Sequence, residues 1–237
     1  MLATFINVAL VLAGSAAGLL FRNLISQRLM SILTHALGLC VLGIGVSNML
    51  GTQNTLCVIV CMVVGAVLGN AADIERRLEG AGDLIRGKLL KGEGNSRFTE
   101  GFVNAALLFC VGAMAITGSI EAGLNHNYEI IISKGVIDGV TAISFAAAMG
   151  VGVAFSAIPL LIYQGGITLL AGVIRPYLSE AVISQMSFIG SILIFALGFN
   201  LVFGKKVKVG NLLPAMFLPI LFDLLARWWP WFASIYG

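Results

Sequence analysis

A carboxylate set inside a long apolar run is costly in hydrocarbon and by default marks a site for an ion or solute. Asp138 is such a residue, in the stretch 135–156, GVIDGVTAISFAAAMGVGVAFS; Asn104 holds a comparable place in 101–119, GFVNAALLFCVGAMAITGS. Both stretches are long enough to cross a bilayer, and both are rich in the small residues that let helices approach closely in lipid. Asp138 has two readings. It is a coupling carboxylate for an ion or proton, or it forms a local ion pair with Lys134, one helical turn earlier. Asn104 either faces Asp138 with an amide that donates or accepts, or hydrogen-bonds a neighbouring helix. Gly112 and Gly118 permit a helix break that would turn backbone carbonyls toward a cavity, the setting in which irregular backbone is tolerated at membrane depth. Plain close packing is the competing reading. Thr117, Ser119, Thr141 and Ser144 add hydroxyl oxygens, which suit a hard cation such as Na⁺ or bond their own helices.

The elements that must position these residues are apolar helices. Of 237 residues, 59% are hydrophobic and 11% charged, against roughly 25% charged in soluble domains. Mean hydropathy is +1.00. The expected fold is all-α, a polytopic membrane domain with about eight spans: 3–21, 31–50, 55–72, 99–120, 134–155, 157–174, 184–203 and 211–229. Pro159 is expected to set a tight turn between the fifth and sixth, since proline disfavours helix in the residue before it and suits a first turn; the alternative is a single long broken segment. The apolar N-terminus lacks a basic leader region and reads as the first span.

Between the third and fourth spans lies the one substantial polar stretch, DIERRLEGAGDLIRGKLLKGEGNSR, with Ile74, Leu78, Ile85, Leu89 and Leu90 at roughly helical spacing. That pattern predicts an amphipathic cytoplasmic linker over 73–98. With the N-terminus outside, inner segments carry Arg22, Arg28, Arg76, Arg77, Arg86, Lys88, Lys91, Arg97, Lys205, Lys206 and Lys208; outer segments carry Lys134, Arg175 and Arg227. This bias places both termini outside, because basic residues collect on the cytoplasmic side.

A shift of 153 positions superposes Arg22 on Arg175, Ser26 on Ser179, Ser31 on Ser184, Gly45 on Gly198 and Gly51 on Gly204. Spans one to three then fall on spans six to eight. An odd number of spans separates the copies, so the second is inverted. The expected plan is 3+2+3: 1–72, a central pair over 99–156, and 157–237, as in many secondary transporters. A shift of 34 aligns the central pair, with Gly101 on Gly135, Asn104 on Asp138 and Gly118 on Gly152.

Other polar residues have plainer readings. Asn7, Asn48, Gln164 and Asn200 suit hydrogen-bonded helix contacts as well as a solute path. Asp223 and Arg227 read as an interfacial pair, Glu100 as solvated, His35 as a membrane-edge residue and His126 as lying in a polar loop. Cys40, Cys57, Cys61 and Cys110 lie in apolar runs and read as packing residues. No HExxH, GxSxG, paired acidic motif or phosphate-cradling glycine loop occurs, so neither an enzyme nor a cofactor or metal site is expected.

The segments FINVALVLAGSAAGLLFRNLISQRL, ALGLCVLGIGV, FVNAALLFCVGAMAITGSIEAGL, KGVIDGVTAISFAAAMGVGVAFSAIPLLIYQG and VGNLLPAMFLPIL resemble the uncharacterised bacterial inner-membrane family that includes YqgA and YdfK. The resemblance runs over nearly the whole chain and is densest over 102–165. It implies a bacterial inner-membrane location and a multi-pass fold, and names no substrate. The functional expectation is a secondary transporter or channel-like carrier for a small polar solute or ion. The alternative is a scaffold that recruits a cytosolic partner or anionic lipid through the basic 73–97 loop. The lipid bilayer is the expected surrounding, a homo-oligomer is left open, and nucleic acid is not expected as a partner.

Overall fold

The computed structural model describes residues 1–22, 26–50, 54–89 and 96–228, and every described element is helical. Gly51 of the proposed repeat, Leu90 and Lys91 of the linker, and residue 229 of the last expected span lie outside these residues.

The second and third spans each start where a side chain can satisfy the free N–H groups of a first turn. Helix α1 is Leu2–Arg22. Ser26 caps α2 (Gln27–Asn48), accepting from Leu29 N at 3.3 Å. Asn54 caps α3 (Thr55–Ala72), accepting from Cys57 N at 3.1 Å. Asp73, in the left-handed region at φ 47°, ends α3 and turns the chain into the amphipathic α4 (Ile74–Leu89).

The fourth span is not continuous. It consists of α5 (Ser96–Cys110) and α6 (Ala113–Leu124), bent by 61° at Val111–Gly112. Gly112 has φ 137° and ψ 154°, a conformation open essentially to glycine alone. The break permitted by the glycines thus falls at Gly112. Gly118 stays helical, and a Cβ there would come within 2.9 Å of Ile130 and Ile131. For Gly118 the packing reading holds.

Helix α7 (Glu129–Met149) follows and ends at Gly150, φ 93°. A Cβ on Gly150 would meet Arg22 Nη1 at 1.6 Å. The short α8 (Gly152–Phe155) leads into α9 (Ala157–Leu169), and together they form the sixth span, Gly152–Leu169. The boundary between spans five and six is therefore Gly150, not the expected Ser156–Pro159. Pro159 lies in the first turn of α9, where its missing N–H costs nothing. After α10 (Ala171–Ile174) and a 3₁₀ turn at Arg175–Tyr177, Ser179 caps α11 (Glu180–Phe203), accepting from Val182 N at 3.3 Å. The eighth span starts as the 3₁₀ segment Val209–Phe217, which contains Pro214, and ends as α12 (Leu218–Trp228). Among the described residues, seven helices are long and apolar enough to cross a membrane, and the count is eight if the bent α5–α6 pair is taken as one span.

Helices pack where glycine removes the side chain between backbones. Against α7, a Cβ on Gly14 of α1 would lie 2.0 Å from Gly139 O, and one on Gly18 2.1 Å from Ile143 O. Helices α2 and α11 meet through glycines of both: a Cβ on Gly45 would meet Phe195 N at 2.8 Å, and one on Gly198 would meet Leu42 N at 2.6 Å. Helix α3 packs on the eighth span, where a Cβ on Gly69 would meet Asn211 O at 1.9 Å. Span six packs on the broken span four through Gly123, whose Cβ would meet Thr168 O at 2.4 Å. Cys57 and Cys61 are buried in the α3 seam, with Cys57 Sγ donating to Gln185 Oε1 at 3.0 Å.

Helix α4 is fastened to one end of the bundle. Glu75, 5% exposed, accepts from Gly210 N at 2.6 Å and pairs with Lys205 at 2.6 Å, while its own N–H donates to Asn211 Oδ1 at 2.8 Å. Lys205 also pairs with Glu79. Burial alone pulls the Lys205 ammonium down, but the hydrogen bonds and charges of Glu75 and Glu79 outweigh it and hold it above its ordinary value.

Candidate functional site

In α7, Lys134 and Asp138 are one turn apart and point into the protein, 6% and 7% exposed. From the sequence, Lys134 is expected at the outer edge of the fifth span, among the outer basic residues. The helix instead starts at Glu129, five residues earlier, and carries Lys134 inside. The ion pair between the two is formed, and it is buried.

The break in span four supplies the pair's next contact. Within an unbroken helix, Phe109 O would accept from the N–H four residues on, but that residue follows the break. It accepts from Lys134 Nζ instead, at 2.8 Å. A lysine ammonium thus satisfies the carboxyl end of α5, where the helix dipole favours a cation.

On the other side stand two amides from the first and sixth spans. Asn7 Nδ2 donates to Asp138 Oδ2 at 3.2 Å and to Gln164 Oε1 at 2.9 Å, and both amide residues are fully buried. Thr168 donates to Gln164 O at 2.9 Å and lies 3.5 Å from the Thr4 hydroxyl. Among the described residues, Asn7 Oδ1 and Gln164 Nε2 of this network have no hydrogen-bond partner, and neither do the buried Ser15 Oγ and Tyr163 OH. A buried polar atom without a partner costs about 1–3 kcal/mol. Such atoms are usually met by water or a ligand.

Beside the ion pair lies a cavity of about 430 Å³ between α2, the broken span, α7 and α11. Lys134, Asp138, Thr141, Ser144, Ser191 and the broken stretch at Gly112 contribute to its wall. Thr141 donates to Ile137 O and Ser191 to Ser187 O, each at 2.8 Å. Their protons are committed to their own helices, so the hydroxyl oxygens turn lone pairs outward. A second cavity, about 360 Å³, shares Asn48, Ala113 and Ser187 with the first and continues past Thr117 to Glu180, toward the end remote from α4.

The expected site residues therefore separate. Asp138, Gly112, Thr141 and Ser144 share one cavity, and Thr117 lines its continuation. Ser119 is fully buried and donates to Ala115 O at 2.6 Å. Gly118 packs against α7, as above. Asn104 does not face Asp138. Its amide lies 4.0 Å from Met149 Sδ, and it lines a cavity of about 260 Å³ at the α4 end with Glu75, Glu79, Glu100, Asn200 and Lys205. The physical reason is the break: the alignment at 34 positions treats spans four and five as equivalent helices, and only span four is interrupted. The residues missed were Lys134 as a buried partner and Asn7 and Gln164 as its surroundings. The spacing of four between Lys134 and Asp138 carried the signal for the first; no local pattern carried the others. Among the described residues no three His, Cys, Asp or Glu side chains converge as a metal site requires.

Residues 2–224 match the family described as "Protein of unknown function (DUF554)". The chain belongs to the DUF554 family. It is 31% identical over 223 residues to "Uncharacterized membrane protein YdfK" of Bacillus subtilis (strain 168), covering 92% of this chain and 94% of that protein. It is 30% identical over 233 residues to "Uncharacterized protein YqgA" of Escherichia coli (strain K12), covering 97% and 98%. No solved structure matches the chain. Family membership and the apolar helices together make this a membrane protein.

Proposed function

We propose that this DUF554 protein is a carrier for a small polar solute or ion in the bacterial inner membrane, built as an inverted 3+2+3 repeat with both termini outside. The observation that carries the reading is the buried Lys134–Asp138 pair, set in the wall of a cavity at the point where a spanning helix breaks. An ionisable pair at membrane depth is retained at a cost, and interrupted helices at such depth belong beside a cavity or within protein.

Three further features support the plan. Ser26 and Ser179 cap α2 and α11 with the same geometry, and their acceptor contacts, to Leu29 and Val182, are related by the same shift of 153. The shift also turns the contact of Gly45 with Phe195 into that of Gly198 with Leu42. Span one packs on span five as span six packs on span four, while spans two and seven pair with each other, and three with eight. That is the pattern a two-fold axis through the centre would produce. Orientation follows from the basic residues: with Lys134 removed from the outer set, the bias toward the α4 end is stronger than sequence reading supposed.

The test is uptake into proteoliposomes by the purified full-length protein. Uptake of a labelled solute, lost in Asp138→Asn, is the expected outcome; uptake indifferent to that change would remove Asp138 from the mechanism. Cysteines placed at Lys206 should label only from the cytoplasmic side. The scaffold reading draws on the exposed Arg76, Arg77 and Lys88 of α4. It would be favoured by absence of uptake together with a partner lost on charge reversal of those three.

A further inference from the structure

We propose that the cavity beside Lys134 and Asp138 takes a small zwitterion, an α-amino acid, with its ammonium on Asp138 and its carboxylate at the start of α6. This rests on the carrier reading above and specifies its substrate class.

Charge is the first ground. Of the described side chains lining the cavity, Lys134 and Asp138 alone are charged, and they cancel. A ligand of net charge would leave the cavity with an uncompensated charge beside the ion pair, whereas a zwitterion leaves the total at zero.

The second ground is what each side of the cavity still has free. Asp138 accepts from Asn7 and Lys134 through Oδ2 only; Oδ1 has no hydrogen bond among the described residues, though the residue is more than nine-tenths buried. Thr141 and Ser191 add oxygens whose protons are already committed to backbone carbonyls. This side offers acceptors, as an ammonium requires. The break provides the opposite. Ala113 and Met114 head α6, a helix of 12 residues, and Gly112 before them supplies no side-chain cap. Their N–H groups lack carbonyls in helical register and stand at the positive end of the helix dipole, beside the cavity. Lys134 Nζ has three hydrogens, of which two are used, on Asp138 and Phe109 O. Donors for a carboxylate and acceptors for an ammonium thus line one cavity.

Size is the third ground. About 430 Å³ lies within the range of small-molecule sites, roughly 300–1,000 Å³, and the adjoining cavity extends it toward one end of the bundle.

The experiment is counterflow in proteoliposomes loaded with a mixture of unlabelled amino acids. Labelled amino acids are tested one at a time against competing decarboxylated amines, the matching carboxylic acids lacking the amino group, and alkali chlorides. The expected result is accumulation of a subset of amino acids, with amine and acid each competing at least tenfold more weakly than the parent zwitterion. Thr141→Val serves as the second variant, a near-isosteric change at a half-buried position. It should raise the apparent KM several-fold with a normal elution profile, whereas Asp138→Asn should abolish accumulation. Uptake of an amine, an inorganic ion or an uncharged solute in preference to amino acids overturns the zwitterion proposal and leaves the carrier reading intact. No uptake of any member of the panel overturns both.

Discussion

The first span lies along α7, and the sixth lies along the span that breaks at Gly112. Against the unbroken α7, α1 approaches until Gly14 nearly touches the Gly139 carbonyl, and the seam from Asn7 to Gly18 is filled. Against the broken span, close approach is concentrated at Gly123 and Thr168, beyond the bend. A continuous helix lets a whole row of small residues meet its partner, and in lipid that contact drives association. An interrupted helix gives up part of the row and exposes backbone in exchange. In this protein the exposed backbone is held by Lys134, which belongs to the unbroken helix. The two interfaces therefore share one residue.

The largest test of that link is to remove one partner of the pair. Lys134→Met leaves the Asp138 carboxylate and Phe109 O uncompensated, and loss of one member of a buried pair costs about 3–5 kcal/mol. The unfolding midpoint in detergent should drop sharply. The double change Lys134→Met with Asp138→Leu should recover most of it, and no recovery would show that Phe109 O, rather than Asp138, is what Lys134 chiefly serves.

Next comes the tight interface. Gly14→Ala puts a methyl group 2.0 Å from a backbone oxygen that cannot rotate away, with an expected cost near the upper end of about 1–3 kcal/mol. The comparison fails if this substitution is silent in thermal unfolding. At the break the cost has a different origin. A Cβ on Gly112 would meet nothing within 4 Å, but φ is 137°, so Gly112→Ala should cost about 1–3 kcal/mol through backbone strain alone.

Smaller effects belong to the surface. The pair of Lys205 with Glu75 and Glu79 is half exposed on the lysine side and, screened by water, should contribute less than about 1 kcal/mol. Because the Lys205 ammonium is held above its ordinary value, this contribution is complete below the unfolded lysine value, about 10.4. It is lost only as pH rises through the folded one. Unfolding midpoints of wild type and Lys205→Met should therefore differ by the same small amount from pH 6 to 9 and converge only in strong alkali. Gly43→Ala, within α2 and with open space around it, should be neutral or gain about 0.5–1 kcal/mol from helix propensity.

Much of the fold could be read from one dimension. Apolar length set the spans, the serines at 26 and 179 mark where two helices begin, and the basic residues mark one end. These are local properties, and lipid enforces them segment by segment, since a lipid-facing backbone polar group has no water to bond and is most simply satisfied within its own helix. Asp138 stood out for the same reason: a charge in an apolar run is visible without knowing its neighbours.

What surrounds Asp138 was decided by tertiary structure. Sequence could say that Gly112 or Gly118 permits a break; which of them breaks depends on Gly118 being packed against Ile130 and Ile131 while Gly112 faces open space. Asn104, matched to Asp138 by spacing, went to the α4 end, while Asn7, read as an ordinary amide, came to the carboxylate from 131 residues before it and met Gln164 of the sixth span there. Contacts of that range have no local signature. They depend on how closely the helices approach and at what angle, and in this bundle a few glycines and one broken helix set both.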